Sequence, residues 1–110
     1  MSGADKRRDP RVDTAQSVWV EGQEVRFEAE AQNMSRSGMF VVARDSLPVL
    51  GSLLHITFDD PREGKVGVTM EVVWRADGDE QRPKLGLRVA DAQGMDAFER
   101  VVERLLTEKG

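Results

Sequence analysis

Apolar residues recur at every second position over most of this chain. Val18 and Val20 flank Trp19, and Glu21-Gly22-Gln23 reads as a turn. Val25, Phe27, Ala29 and Ala31 then alternate with Arg26, Glu28, Glu30 and Gln32. This is the pattern of an antiparallel strand with one face in an apolar core and the other in water. Turn-forming residues from Asn33 to Gly38 interrupt it. Met39-Phe40-Val41-Val42 follows as a short strand without a clean polar face, and Pro48 argues for a loop around Leu47–Gly51. Leu53 to Phe58 is a further strand, closed by the turn-rich run Asp59 to Gly64. Val66, Val68, Met70 and Val72 alternate again and lead into Val73-Trp74-Arg75. After the turn signal Ala76-Asp77-Gly78-Asp79, Leu85, Leu87 and Val89 make the last strand.

The period then changes. Met95, Phe98, Val101, Val102, Leu105 and Leu106 recur at three- and four-residue steps, which predicts an amphipathic helix over 92–108. Asp91 or Asp96 can cap its start, and Gly110 can follow its end. Six short antiparallel strands at regular spacing are the signature of a small barrel or sandwich, and a barrel leaves no free sheet edge. The strands are placed within 16–90. The apolar stripe of the helix must cover something, either a barrel mouth or a partner.

At 110 residues, the chain is expected to form one domain over 6–110 behind a small, polar, disordered N-terminus at 1–5. A chain of this length buries about two-thirds of its unfolded surface, enough for an ordinary core. Cysteine is absent, which removes disulfides, thiolate nucleophiles and zinc-thiolate sites. No run approaches the roughly 20 apolar residues of a membrane span, and the first residues lack a signal-peptide apolar region. These features predict a soluble, cytoplasmic protein with no membrane association. His55 is the sole histidine, with no partner at a metal-ligand spacing, so no metal site is expected. No G-x-S-x-G and no Walker-spaced glycine loop occurs. The chain therefore does not read as an enzyme.

Charge adds one local feature. Lys6-Arg7-Arg8-Asp9-Pro10-Arg11 holds four of the 16 basic residues and carries +3. The whole chain is −4, leaving −7 elsewhere (12 basic residues against 19 acidic). A compact basic cluster on an acidic protein suits a local anion site and disfavours nucleic acid as a partner, since nucleic-acid-binding domains are broadly basic. Pro10 biases the segment at 6–11 towards an extended arm. In Asn33-Met34-Ser35-Arg36-Ser37-Gly38, Asn33 offers a donor and an acceptor in a fixed frame, and Ser35 adds a hydroxyl. Gly38 permits close backbone approach. Taken alone, this stretch is a β-turn and the arm is a solvated basic tail. Together they suit an anionic guanine nucleotide, because guanidinium forks pair with phosphate and with guanine O6 and N7.

Arg7-x-x-x-Arg11, followed about twenty residues later by Asn33-x-Ser35-x-x-Gly38, resembles the paired signature of the PilZ domain family, RxxxR then D/N-x-S-x-x-G. Leu85-Gly86-Leu87-Arg88-Val89 is similar to the family's late glycine-containing strand. The resemblance runs from about Lys6 to the C-terminal helix. It implies a mainly β fold, a small six-stranded antiparallel β-barrel with a C-terminal amphipathic α-helix, and a cyclic di-GMP ligand in place of any cofactor. Arg7 and Arg11 would grip phosphates and guanine edges, and Arg8 would stack on or pair with the ligand. Asn33 and Ser35 would contact a guanine and its neighbouring phosphate or ribose, and Gly38 would hold the turn open. Lys6 would bear on ligand stoichiometry, Trp74 is a candidate base contact, and Arg36 is a further candidate ligand residue. Trp74 also reads as a packing residue, and Trp19 as core or rim. Asn33 stands where Asp is commoner, which removes a charge that favours guanine N–H donors. The resemblance implies a second-messenger receptor that signals to a partner protein; the chain itself is expected to be a monomer or weak dimer, since the helix stripe can pack on its own barrel or on a second copy. Motility, adhesion or biofilm formation, polysaccharide export and transcription are the expected outputs. The alternative is a PilZ-like interaction adaptor that works without nucleotide.

Overall fold

The computed structural model describes residues 10–23, 25–43, 48–76 and 82–109. These form six strands and one helix: β1 Val12–Glu21, β2 Arg26–Ser35, β3 Gly38–Val42, β4 Leu53–Asp60, β5 Gly64–Ala76, β6 Lys84–Val89 and α1 Met95–Lys109. The strands close into an antiparallel barrel in the order β1-β2-β3-β6-β5-β4, with β4 returning to β1 through Trp19–Thr57, Val20–Ile56 and Glu21–His55 pairs. The mainly β fold with a C-terminal helix is what the hydrophobic pattern predicted, and of its two options, barrel or sandwich, the closed six-stranded barrel implied by the resemblance is the one formed.

The inward phase of each strand is apolar. Val18, Val20, Ile56, Val68, Met70 and Leu85 are fully buried in one core, whereas the outward neighbours are largely polar. Helix α1 crosses the mouth at which β2 passes into β3 and β4 into β5. Its Phe98, Val101 and Val102 enter the barrel core, and Leu105 and Leu106 lie partly buried at its rim. The apolar stripe thus covers a barrel mouth. Gly94, at φ 80°, brings the chain onto β5, where a Cβ would overlap the Gly67 carbonyl oxygen. Asp91 caps the turn before the helix by accepting the Gln93 amide at 3.0 Å, and Asp96 lies in the first helical turn.

Several strand limits differ from the sequence expectation. β1 begins at Val12, because Val12 pairs with Met34 and is buried, although the mostly polar stretch Asp13–Ser17, which holds a register shift between Asp13 and Gln16, hides the alternation. β2 runs through Ser35, so only Arg36 and Ser37 form the turn expected over Asn33–Gly38. Val25 precedes β2 and is exposed, and Trp19 points outward, 47% exposed, with the Arg26 guanidinium 5.3 Å from its ring centre. Trp19 is therefore not a core residue. Among the described residues, no helix is long and apolar enough to cross a membrane.

One ion pair pins the helix. The alternation that buries Leu54, Ile56 and Phe58 also points Asp60 inward at the mouth, where its side chain is almost wholly buried. Arg104 of α1 meets it with two parallel 2.8 Å hydrogen bonds. The backbone amides of Arg62 and Glu63 add 2.9 Å bonds. The Arg104 guanidinium holds the Asp60 carboxyl well below the ordinary carboxylate range against the opposing effect of burial, with the two amides assisting. Next to it, Arg100 bonds to Glu63 at 3.0–3.1 Å.

Asp60→Ala is expected to cost about 3 kcal/mol, because it leaves the largely buried Arg104 at the mouth with only the 3.7 Å contact to Glu108. Since folding lowers this pKa, the carboxylate's contribution is complete above the unfolded value of about 4 and is lost as pH falls towards the folded value. Thermal melts should show the wild type losing stability below about pH 4, with a smaller loss in Asp60→Asn.

Candidate functional site

The outer face of β2, β3, β6 and β5 carries the candidate site. Cross-strand pairing sets Asn33 beside Phe40, Phe40 beside Gly86, and Gly86 beside Trp74. Two irregularities bring these residues to one face. Ala29 and Ala31 point inward on β2, and strict alternation would send Asn33 inward too. The register shifts between Ala31 and Asn33, so Gln32 is an extra residue and Asn33 faces out, while Met34 takes up the inward phase. On β5, Val66 to Val72 are inward at even positions, and alternation would send Trp74 inward. The register shifts between Val72 and Trp74, so Val73 is the extra residue and Trp74 lies outside, 45% exposed. Packing in the barrel interior, the rival reading of Trp74, does not describe it.

Arg11, one residue before β1, reaches across this face. Its Nη1 donates to Asn33 Oδ1 at 3.0 Å, and its guanidinium carbon lies 5.0 Å from the centre of the Phe40 ring. Phe40 and Trp74 meet edge to face, with ring centres 5.5 Å apart and planes at 86°. Gly86 forms the floor between them. A Cβ there would come within 3.0 Å of a Phe40 ring carbon and 3.1 Å of the Trp74 Cβ. The result is a corner of two aromatic rings beside a guanidinium and an amide, a combination that can stack a planar base and pair with an anion.

The remaining candidates occupy other places. Ser35 is buried; its Oγ lies 3.2 Å from Ser37 Oγ and accepts the Ser37 amide at 3.3 Å, so it braces the β2–β3 turn. Gly38 sits where β3 meets β6, and a Cβ there would overlap the Leu87 carbonyl oxygen. Its small size is therefore required by strand contact. Arg36 Nε lies 3.2 Å from Glu103 Oε2 of α1, an ion pair without hydrogen-bond geometry. This directs Arg36 towards the helix. Lys6, Arg7 and Arg8 lie outside the described residues. Among the described residues, no group of three or more His, Asp or Glu side chains is placed to hold a metal.

Phe40 is the member of this face that no sequence motif marks. The signal was the lack of a polar face in Met39–Val42, which leaves an aromatic at an outward position. Gly86 was visible only as part of a glycine-containing strand.

A profile of the PilZ domain matches residues 5–108, and the chain belongs to that family. Among solved structures, the Bacillus subtilis inhibitor of motility MotI/DgrA superposes with a TM-score of 0.76 at 22% identity. That match covers 96% of this chain and 53% of MotI, so the chain spans about half of MotI's length. The PilZ domain of Escherichia coli YcgR with c-di-GMP gives 0.74 at 15% identity, covering 94% of each chain. The PilZ domain of CeSA from a cellulose-synthesising bacterium gives 0.68 at 13%, covering 86% of this chain and 96% of that one. At these identities the likeness establishes the fold. A search of the curated proteins gave no match.

Gly38→Ala is expected to lower stability by about 3 kcal/mol, because the added methyl forces β3 from β6. Chemical denaturation would show it as a lower midpoint at an unchanged slope.

Proposed function

We propose that this domain is a cyclic di-GMP receptor whose Arg-rich arm and N-x-S-x-x-G turn hold the ligand together and signal to a partner protein. The observation that carries the reading is the Arg11–Asn33 hydrogen bond, 3.0 Å long across 22 positions. It joins the second arginine of one motif to the first residue of the other. The structure of a YcgR PilZ domain with c-di-GMP supports the same ligand for this fold.

In this reading Arg11 pairs with a phosphate and a guanine edge, Asn33 contacts the base, and the exposed Trp74 ring stacks on it. The motif assigns Arg7 and Arg8 to the same ligand, with Lys6 at its margin. With Arg11 already held at Asn33, the anion neutralises the arm's remaining like charges and gathers them on the same ligand, a change driven by differential affinity. Arg36 gives the turn a direct link to the helix through Glu103, so a shift of the turn reaches the surface of α1. No cofactor or catalytic group enters this mechanism.

Isothermal titration with cyclic di-GMP should give a Kd of about 1 μM or tighter, roughly −8 kcal/mol. Arg11→Ala or Asn33→Ala should weaken binding, by at least about 30-fold for the arginine, with melting temperature unchanged. A wild-type protein showing neither heat nor thermal shift would sink the ligand claim. A partner complex insensitive to added nucleotide would favour the adaptor alternative.

A further inference from the structure

We infer that Phe40 is the positioning residue of this site: its ring sets the plane of the Arg11 guanidinium and the angle of the Trp74 indole before a ligand arrives. The inference rests on the receptor reading above and deepens it. Arg11 is exposed, and a long exposed side chain ordinarily samples many rotamers. Here two different restraints act on it. Asn33 Oδ1 takes the Nη1 donor and fixes one edge of the guanidinium. The Phe40 ring, its centre 5.0 Å from the guanidinium carbon, lies under the group and contacts it on a second side. A bonded edge and a ring beneath together limit the direction in which the other guanidinium donors point.

Phe40 also meets Trp74 edge to face at 5.5 Å, and the bulge at Val73 delivers that indole to the outer face. Gly86, paired with both rings, leaves the space in which they meet. One side chain therefore touches both the cation and the stacking ring. A half-buried phenylalanine that merely filled space would have no reason to sit under a guanidinium that is also hydrogen-bonded to a motif residue. Pre-set groups strengthen binding by lowering the ordering that association demands. Trp19 provides an internal control, since it makes a similar contact with Arg26 away from this row of residues.

The test compares Phe40→Leu, Phe40→Tyr and Trp19→Leu in the full chain. Cyclic di-GMP should bind Phe40→Leu about tenfold more weakly than wild type, whereas Phe40→Tyr should stay within about twofold. Trp19→Leu should bind as wild type does. Equal affinity in Phe40→Leu and wild type, or a Phe40→Tyr variant as weak as Phe40→Leu, would overturn the inference. A second arm needs no ligand. In NMR spectra of the free protein, ring current should shift the Arg11 side-chain protons upfield in wild type and Phe40→Tyr, and Phe40→Leu should return them towards unstructured values. If the Arg11 shifts do not respond to Phe40→Leu, the inference fails. If wild type does not bind cyclic di-GMP, the receptor reading fails by itself, and the Arg11 shifts still decide whether Phe40 orients the arginine. Should Phe40→Leu not fold, Phe40→Met, which also lacks a ring, takes its place in both arms.

Discussion

The candidate face depends on a phase change within two strands of a closed barrel. Closure removes every sheet edge, so each strand has only an inward and an outward row, and inward positions must be apolar. Asn33 and Trp74 fall in inward rows if their strands are counted from the preceding alanines and valines. Burying the Asn33 amide among Ala29, Ala31 and Met34 would strand its hydrogen-bonding groups. One extra residue in each strand, Gln32 and Val73, resolves the conflict. The bulges leave the core filled by Met34 and Leu85 and turn the amide and the indole to the same outer face. Phe40 and Gly86, on the strands between, complete the row without a bulge of their own.

The opposite requirement holds at the barrel mouth. There a carboxylate, Asp60, keeps its inward phase and is buried because Arg104 and two backbone amides satisfy it. This fixes α1 in rotation and register, which a stripe of valine, leucine and phenylalanine alone would do less specifically. The Arg36–Glu103 pair joins the same helix to the β2–β3 turn. The Asn33 end of the candidate site and the helix are therefore parts of one mechanically continuous end of the barrel.

Likeness to structures at 13–22% identity speaks to the fold, whereas the candidate site is defined by this chain's own side chains. Arg11 and Asn33, one residue from each half of the signature, meet in space, and the meeting point is lined by two rings, an amide and a guanidinium. Ser35 and Gly38 support the site from within: one hydroxyl braces the turn, and one missing side chain lets β3 lie against β6. Both are needed for the turn's shape whether or not either touches a ligand.

The sequence by itself determined the strand count, the helix, the apolar interior and the spacing of the basic and Asn-Ser-Gly motifs. Each is written in local alternation, in turn residues or in charge, which depend on near neighbours. It did not determine which face Asn33 and Trp74 would take, that Val12 belongs to the barrel, or that Trp19 lies outside it. Those outcomes depend on how residues on separate strands pair, and a single extra residue reverses the phase of everything after it. Nor could spacing reveal Phe40 as the ring beneath Arg11, or Arg104 as the partner of Asp60, 44 positions away. Pairing of β1, β2 and β3 brings Arg11 to Phe40, and docking of α1 on the mouth brings Arg104 to Asp60, because such contacts are set by register and packing and not by distance along the chain.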